Sequence, residues 1–252
     1  MDRGALERPG AALQSARAAS HDAWTKFYVR DENWINSTIS YYDHGALLAW
    51  CLDLTIRRMR GPETGLDDVL RLLWQRHAGT TEGYTEKDVE AAAAEVAGED
   101  LSDFFSRHVG GTVPAPVVDL LDVVGLRFDQ ADGDPSAPVP DLGVQLTEDD
   151  DGVTIAAVLR ERPAWQAGVS GGDRLLAIDG ARVRRGDVRK VLGTHAPGDS
   201  VELAVFRGPR LLTVPVTLGP PRLERKLRTV QEPTAAQRAA FRAWTGQDLP
   251  TP

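Results

Sequence analysis

Five histidines are the side chains in this chain best suited to hold a metal, and their spacing excludes the commonest hydrolytic arrangement. Zinc hydrolysis needs three protein ligands and an open position for water, usually two His one helical turn apart with a Glu as base. His21, His44, His77, His108 and His195 include no pair four residues apart and no His-Glu-x-x-His. The one cysteine, Cys51, lies inside an apolar stretch, which rules out a disulfide framework and a Cys-rich metal site and fits a reducing compartment. No serine stands in a Gly-x-Ser-x-Gly elbow, and phosphate loops are absent. Asp149-Asp150-Asp151 before Gly152 reads as a solvated hairpin turn, because a cation site needs further convergent oxygens. Arg182, Arg184 and Arg185 form a small basic patch of the kind a solvated strand edge carries. His195 closes a helix, where its charge suits the dipole.

Composition bounds what these residues can serve. The chain has 252 residues, 42% hydrophobic and 26% charged, the balance of a soluble globular protein of one or two domains. Its net charge of −8 argues against nucleic acid or an anionic membrane as partner. No apolar run reaches the roughly 18 residues that span a bilayer. The first 17 residues lack the apolar core of a secretory signal, so a cytoplasmic location is expected.

Two periodicities divide the chain, and the expected fold is α+β: an all-α domain over 1–128, then a small β-barrel with one or two helices over 140–220. A Pro-, Ala- and Gly-rich acidic stretch, 129–139, reads as a linker, and 221–252 reads as a charged tail whose Gln237–Trp244 segment forms a short docking helix. Gly45–Arg60 is a helix apolar on nearly every side, hence buried, with three arginines at its end and Gly61-Pro62 to stop it. Helices are also expected over Leu66–His77, from the Thr85–Asp88 capping box to Val96, over Ser102–Val109 and over Val117–Val124. Later the apolar positions alternate in Val201–Arg207 and Leu211–Leu218, with Gly208-Pro209 turning between them. Pro215 cannot donate a ladder bond, so its strand belongs at an edge or a bulge. Gly143–Thr147, Val153–Leu159 and Arg174–Ile178 supply further strands, and Gly186–His195 the one good helix of this half.

Leu142-Gly143-Val144, Pro163-Ala164-x-x-Ala167-Gly168-Val169, Gly172-Asp173-x-Leu175-Leu176-Ala177-Ile178-Asp179-Gly180 and Pro197-Gly198-Asp199 together resemble a bacterial PDZ domain. Such a domain binds an extended peptide by adding it to a sheet edge beside a helix. The resemblance implies that the backbone N–H groups of Leu142, Gly143 and Val144 receive a terminal carboxylate and that Val188 and Leu192 line the groove. The competing reading of Val188 and Leu192, that they are core only, is about equally strong, since an apolar helix stripe usually faces a core.

Asp22-Ala23-Trp24-x-Lys26-Phe27-Tyr28, Ser40-Tyr41-Tyr42-x-x-Gly45-Ala46-Leu47 and Leu52-Asp53-Leu54-x-Ile56-Arg57 resemble the glycyl-aminopeptidase family of zinc metallopeptidases. Leu101-Ser102-Asp103-Phe104-Phe105 continues the likeness up to the PDZ-like segment. The family's proteins are longer, with a β-rich domain and a thermolysin-like zinc domain upstream of this portion. The resemblance implies zinc only with such an upstream half; no cofactor and no metal ligand is expected within this chain. It also implies that Tyr42, with Tyr41 beside it, stands where the family places a phenol over the scissile carbonyl, a donor that steadies the oxyanion. His44 replaces the family's Lys. Within this chain alone the expectation for Tyr42 is a buried or half-buried structural tyrosine. Without its zinc domain, the apolar helix around 46–56 is expected to be only partly covered, leaving a large apolar patch.

Two functions follow. One is the C-terminal portion of a glycyl-aminopeptidase-like peptidase, without hydrolysis of its own. The other is a non-catalytic PDZ adaptor that binds protein C-termini.

Overall fold

The computed structural model of the protein describes residues 8–130, 139–222 and 225–252. The helical half holds α1 (Ala16–His21), α2 (Trp34–Ser37), α3 (Tyr41–Arg60), α4 (Leu66–His77), α5 (Glu86–Ala97), α6 (Ser102–Phe104) and α7 (Val117–Leu120). The β half holds β2 (Val144–Asp149), β3 (Gly152–Val158), α8 (Pro163–Gln166), β4 (Arg174–Ile178), β5 (Ala181–Arg182), α9 (Val188–Leu192), β6 (Ser200–Arg207) and β7 (Arg210–Thr217). β1 (Leu126–Gln130), β8 (Arg225–Thr229) and α10 (Ala235–Thr245) complete the chain. This is the expected mixed architecture. Most of the proposed linker lies outside the described residues.

α3 is the axis of the helical half. The Ser40 side chain caps its first turn by accepting from Asp43 N–H, and Gly61, at φ +103°, ends it. Leu47, Cys51, Leu54 and Ile56 are at most 1% exposed. Each such aliphatic side chain contributes about 1.5–3 kcal/mol. The expected bare patch on this helix is therefore absent. Its cover comes from inside the chain: α4, α5, the Phe104-Phe105 pair, α7, and the last 30 residues. Of those residues β8 was not expected, whereas α10 occupies the segment where the sequence places a docking helix. β8 pairs antiparallel with β1, Leu126 opposite Thr229, and α10 then lays Ala240, Phe241 and Trp244 on the helical core, Trp244 stacking on Trp50. Gln237 holds the return by donating to both the carbonyl and the carboxylate of Asp122.

One charged pair is buried in this core. Arg57 Nε meets Asp53 Oδ2 at 2.8 Å, and Asp53 Oδ1 accepts from Leu66 N–H at 2.7 Å. Arg57 also donates to Pro62 O. The pair thus fixes the α3–α4 turn, and its polar atoms are shared with backbone groups that would otherwise be orphaned.

In the β half the sheet runs β2-β3-β4-β6-β7, with β5 against β4, so β2 and β7 are edges. Pro215 sits on the β7 edge, where its missing N–H costs no ladder bond. Val153, Ile155, Leu175, Ile178, Leu203, Val205 and Val216 form the core. Asp173 is fully buried beneath it, held bidentately by Arg207 at 2.7 and 2.8 Å and by Ser170 N–H. α9 is shorter than the sequence predicts. It stops at Leu192 before Gly193, leaving His195 beyond the helix, 3.4 Å from Asp179 and 4.0 Å from Asp199.

The two halves meet at α2. Asn36, 3% exposed, donates through Nδ2 to Val158 O at 2.7 Å and accepts at Oδ1 from Arg160 N–H at 2.8 Å. Those are the two backbone groups that a further strand beside β3 would use. Ile35 and Trp34 pack there on Ala157 and Leu159.

Candidate functional site

Three tyrosines converge at the start of α3. The Ser40 cap places Tyr41 and Tyr42 in the first turn, and a π-helical turn over Ala23–Phe27 delivers Tyr28 to them. Tyr28 Oη lies 3.1 Å from Tyr41 Oη and 3.2 Å from Tyr42 Oη, while the Tyr41 and Tyr42 rings are 4.1 Å apart. Phe27 stands edge-on to all three rings, and Trp24 stacks on Tyr28. The Arg30 guanidinium lies over both Phe27 and Trp34, at 4.6 and 4.3 Å. Tyr42 is 59% exposed and Trp24 80%. The buried or half-buried position expected for Tyr42 is therefore corrected: the residue stands on the outward side of the first turn of α3, opposite the buried His44.

Hydrogen bonding separates the phenols. The bond from Tyr28, then that from Tyr41, pulls Tyr42 below the ordinary tyrosine value. The bonds with Tyr28 and Tyr42 push Tyr41 above it. Of the two phenols that lead α3, Tyr42 is the exposed one and Tyr41 is half-buried. His44, two residues beyond Tyr42 and so on the opposite face of the helix, points the other way. It is 9% exposed, burial lowers its pKa, and its Nδ1 lacks a hydrogen-bond partner. It lines a pocket of about 10 Å³ with Arg8, Ile39, Ser40 and Asp43, room for roughly one water. So His44 does not stand in for a lysine beside the phenols.

Zinc does not fit these residues. Among the described residues no three His, Cys, Asp or Glu side chains converge, and the cluster itself offers only phenols, an indole and a guanidinium. Cys51 is fully buried, and burial pushes its thiol to about 12.

The second candidate is the edge of β2. Gly143 has φ +77°, and a Cβ there would lie 2.2 Å from Arg162 Cβ, so glycine is required by both conformation and space. Its carbonyl accepts from Leu159 N–H at 2.8 Å, and Leu142 O accepts from Ala164 N–H. Val144 then faces Val158 as a non-hydrogen-bonded pair, which turns its N–H toward the free edge. Leu142 is 3% exposed, Val188 3% and Leu192 5%, all within the β core, while Val144 and Leu146 are half-buried against it. The helix residues therefore act as core in this state, and the strand offers the accessible apolar surface.

The structure brings Tyr41 and Tyr42, both expected from the sequence, together with Tyr28, and sets the expected Leu142–Val144 loop at the head of the β2 edge. Asn36 and the convergence of Tyr28 were not expected, although Trp24, Phe27 and Tyr28 fall within the Asp22–Tyr28 stretch that resembles the peptidase family.

Residues 3–48 match the M61 glycyl aminopeptidase family model, and residues 140–218 match the PDZ domain model. A crystal structure of an aminopeptidase N family protein from Idiomarina loihiensis aligns with a TM-score of 0.84 at 28% identity, over 94% of this chain and 42% of that one. A Synechocystis sp. protein named as a serine protease, HhoA, is 28% identical over 112 residues, 42% of this chain and 26% of that protein. The chain thus spans less than half the length of either. The double resemblance read from the sequence stands: a glycyl-aminopeptidase-like segment that carries the tyrosine cluster, and a PDZ domain.

Proposed function

We propose that this chain is the C-terminal portion of a glycyl-aminopeptidase-like peptidase, in which the tyrosine cluster completes an active site and the PDZ domain binds extended peptides. The observation that carries the reading is the exposed, mutually hydrogen-bonded phenol group of Tyr28, Tyr41 and Tyr42, inside the stretch that matches the M61 model. Tyr42 donates to the oxyanion as charge develops on the scissile carbonyl, and Tyr28 and Tyr41 hold its hydroxyl in place. Arg30, fixed between Phe27 and Trp34, keeps the platform rigid. A phenol stabilises charge that a nucleophile has already generated, so the chain alone has no turnover.

The adaptor reading is favoured by one observation. The free edge of β2, the Leu142–Val144 loop and α9 all lie within the one contiguous stretch, 140–218, that matches the PDZ domain model. The two readings separate in a glycyl-anilide assay run beside a peptide titration. Mixed with the upstream part of the Idiomarina relative, expressed as a separate zinc-loaded chain, this protein should support hydrolysis, and Tyr42→Phe should lower kcat by about 10²–10³-fold. Peptide binding without any such hydrolysis would favour the adaptor. Zinc-dependent turnover by the chain alone, abolished in Tyr42→Phe, would overturn both.

A further inference from the structure

The loop read above as a seat for a peptide carboxylate already holds a carboxylate of its own. Gly143 N–H, the middle one of the three loop amides, donates to Asp141 Oδ1 at 3.0 Å. The Asp141 side chain is 11% exposed, and its Oδ2 is buried without a hydrogen-bond partner. The nearest cation is Arg162, whose NH1 lies 3.7 Å from Oδ2 on a side chain 45% exposed. Asp141 cannot swing away with its backbone, because its N–H and C=O are both bonded to Gly219, at 3.1 and 2.9 Å. Gly143 is held as well, by the bond from Leu159 N–H to its carbonyl at 2.8 Å.

A terminal carboxylate arriving at this loop would find one amide taken and a second anion within a few ångströms, where the partly desolvated setting weakens screening. One half-exposed guanidinium is shared between two negative groups. The edge of β2 makes no such demand: strand addition uses alternate N–H and C=O groups whatever the chain terminus carries. We infer that Asp141 sets the specificity of this groove against free C-termini, so that its ligand is an extended, apolar segment uncharged at the end that meets Leu142–Val144. This rests on the peptide-binding reading and sharpens it. Asp141 acts by occupying the carboxylate seat, and Arg162 moderates the repulsion.

The test is a fluorescence-anisotropy titration of the full chain with one pool of decapeptides ending in Val, Leu or Phe, made both as free acids and as C-terminal carboxamides. The carboxamides should bind at least about tenfold more tightly (one decade being about 1.4 kcal/mol). Asp141→Asn keeps an acceptor for Gly143 N–H but removes the charge, and should abolish or reverse that preference. Arg162→Gln should weaken the free acids further and leave the carboxamides unchanged, which keeps the inference testable if Asp141→Asn unfolds. A tenfold preference of the unaltered chain for free acids overturns the inference while leaving peptide binding intact. Equal binding of both forms, unmoved by either substitution, also overturns it. Failure of both pools with every variant would sink the peptide-binding reading itself.

Discussion

Replacing Asn36 with alanine should loosen the PDZ domain from the helical half while leaving both cores folded. Asn36 makes two hydrogen bonds across the junction, to Val158 O and from Arg160 N–H, and a third to Asn33 Oδ1 at 2.8 Å. The alanine leaves Val158 C=O and Arg160 N–H without partners beside Ile35, Ala157 and Leu159, each no more than 4% exposed. A buried polar group stripped of its partner costs about 1–3 kcal/mol. Water entering the space left by the amide recovers part of that, so a net loss of about 2–4 kcal/mol is expected. Inter-domain contacts of this size are easily outcompeted by domain motion. The Arg160 amide reports the loss directly in native-state hydrogen exchange. Its protection should fall by about 30- to 1,000-fold, the same free energy at one decade per 1.4 kcal/mol, while amides of β6 and of α3 keep theirs. Asn36→Asp should do worse, since it sets a carboxylate against the Val158 carbonyl. Unchanged protection at Arg160 in Asn36→Ala would refute the reasoning, because the two bonds would then carry none of the docking.

Two further outcomes follow from buried ionisable groups. Cys51 should stay unreactive toward a thiol-titrating disulfide at pH 8 in the folded protein and react as one thiol per chain in denaturant, because burial pushes its pKa to about 12 and leaves almost no thiolate; rapid modification of the native chain would contradict its place in the core. At Asp173, burial acts to raise the pKa, but the hydrogen bonds from Arg207 and from Ser170 N–H outweigh it, so the folded value lies below the ordinary carboxylate value of 3.8. The group therefore adds stability that is fully present above about pH 4 and is lost as pH falls through the folded value. Arg207→Met should destabilise the β half by about 3–5 kcal/mol near neutral pH and remove that acid limb; acid-melting curves that coincide for the two proteins would count against the pair.

What the sequence determined by itself was local. Gly61 ends α3, the Thr85–Asp88 box opens α5, Gly208-Pro209 turns β6 into β7, and Pro215 marks an edge, because capping, turn geometry and apolar period are decided within a few residues of chain; the start of α3 was not legible this way, since the apolar period places it at Gly45 and the Ser40 cap carries the helix back to Tyr41. The glycine at 143 was legible in the same way, as part of a short motif. The tertiary structure decided everything that depends on residues far apart meeting. Tyr28 reaches Tyr41 and Tyr42 across 13 and 14 residues, Gln237 reaches Asp122 across 115, and Asn36 reaches Val158 and Arg160 across 122 and 124. No periodicity encodes such partners, since a polar side chain looks the same in sequence whether it is solvated or satisfied by a distant backbone. Burial divides the same way. The apolar stripe of α3 announced that something must cover it, and the sequence offered a docking helix at Gln237–Trp244, but only the fold showed that this helix closes over the stripe together with α4, α5 and α7. The exposure of Tyr42 and the occupation of Gly143 N–H by Asp141 were likewise set by where the chain turns in space, since an identical residue type in an identical motif can face either solvent or core.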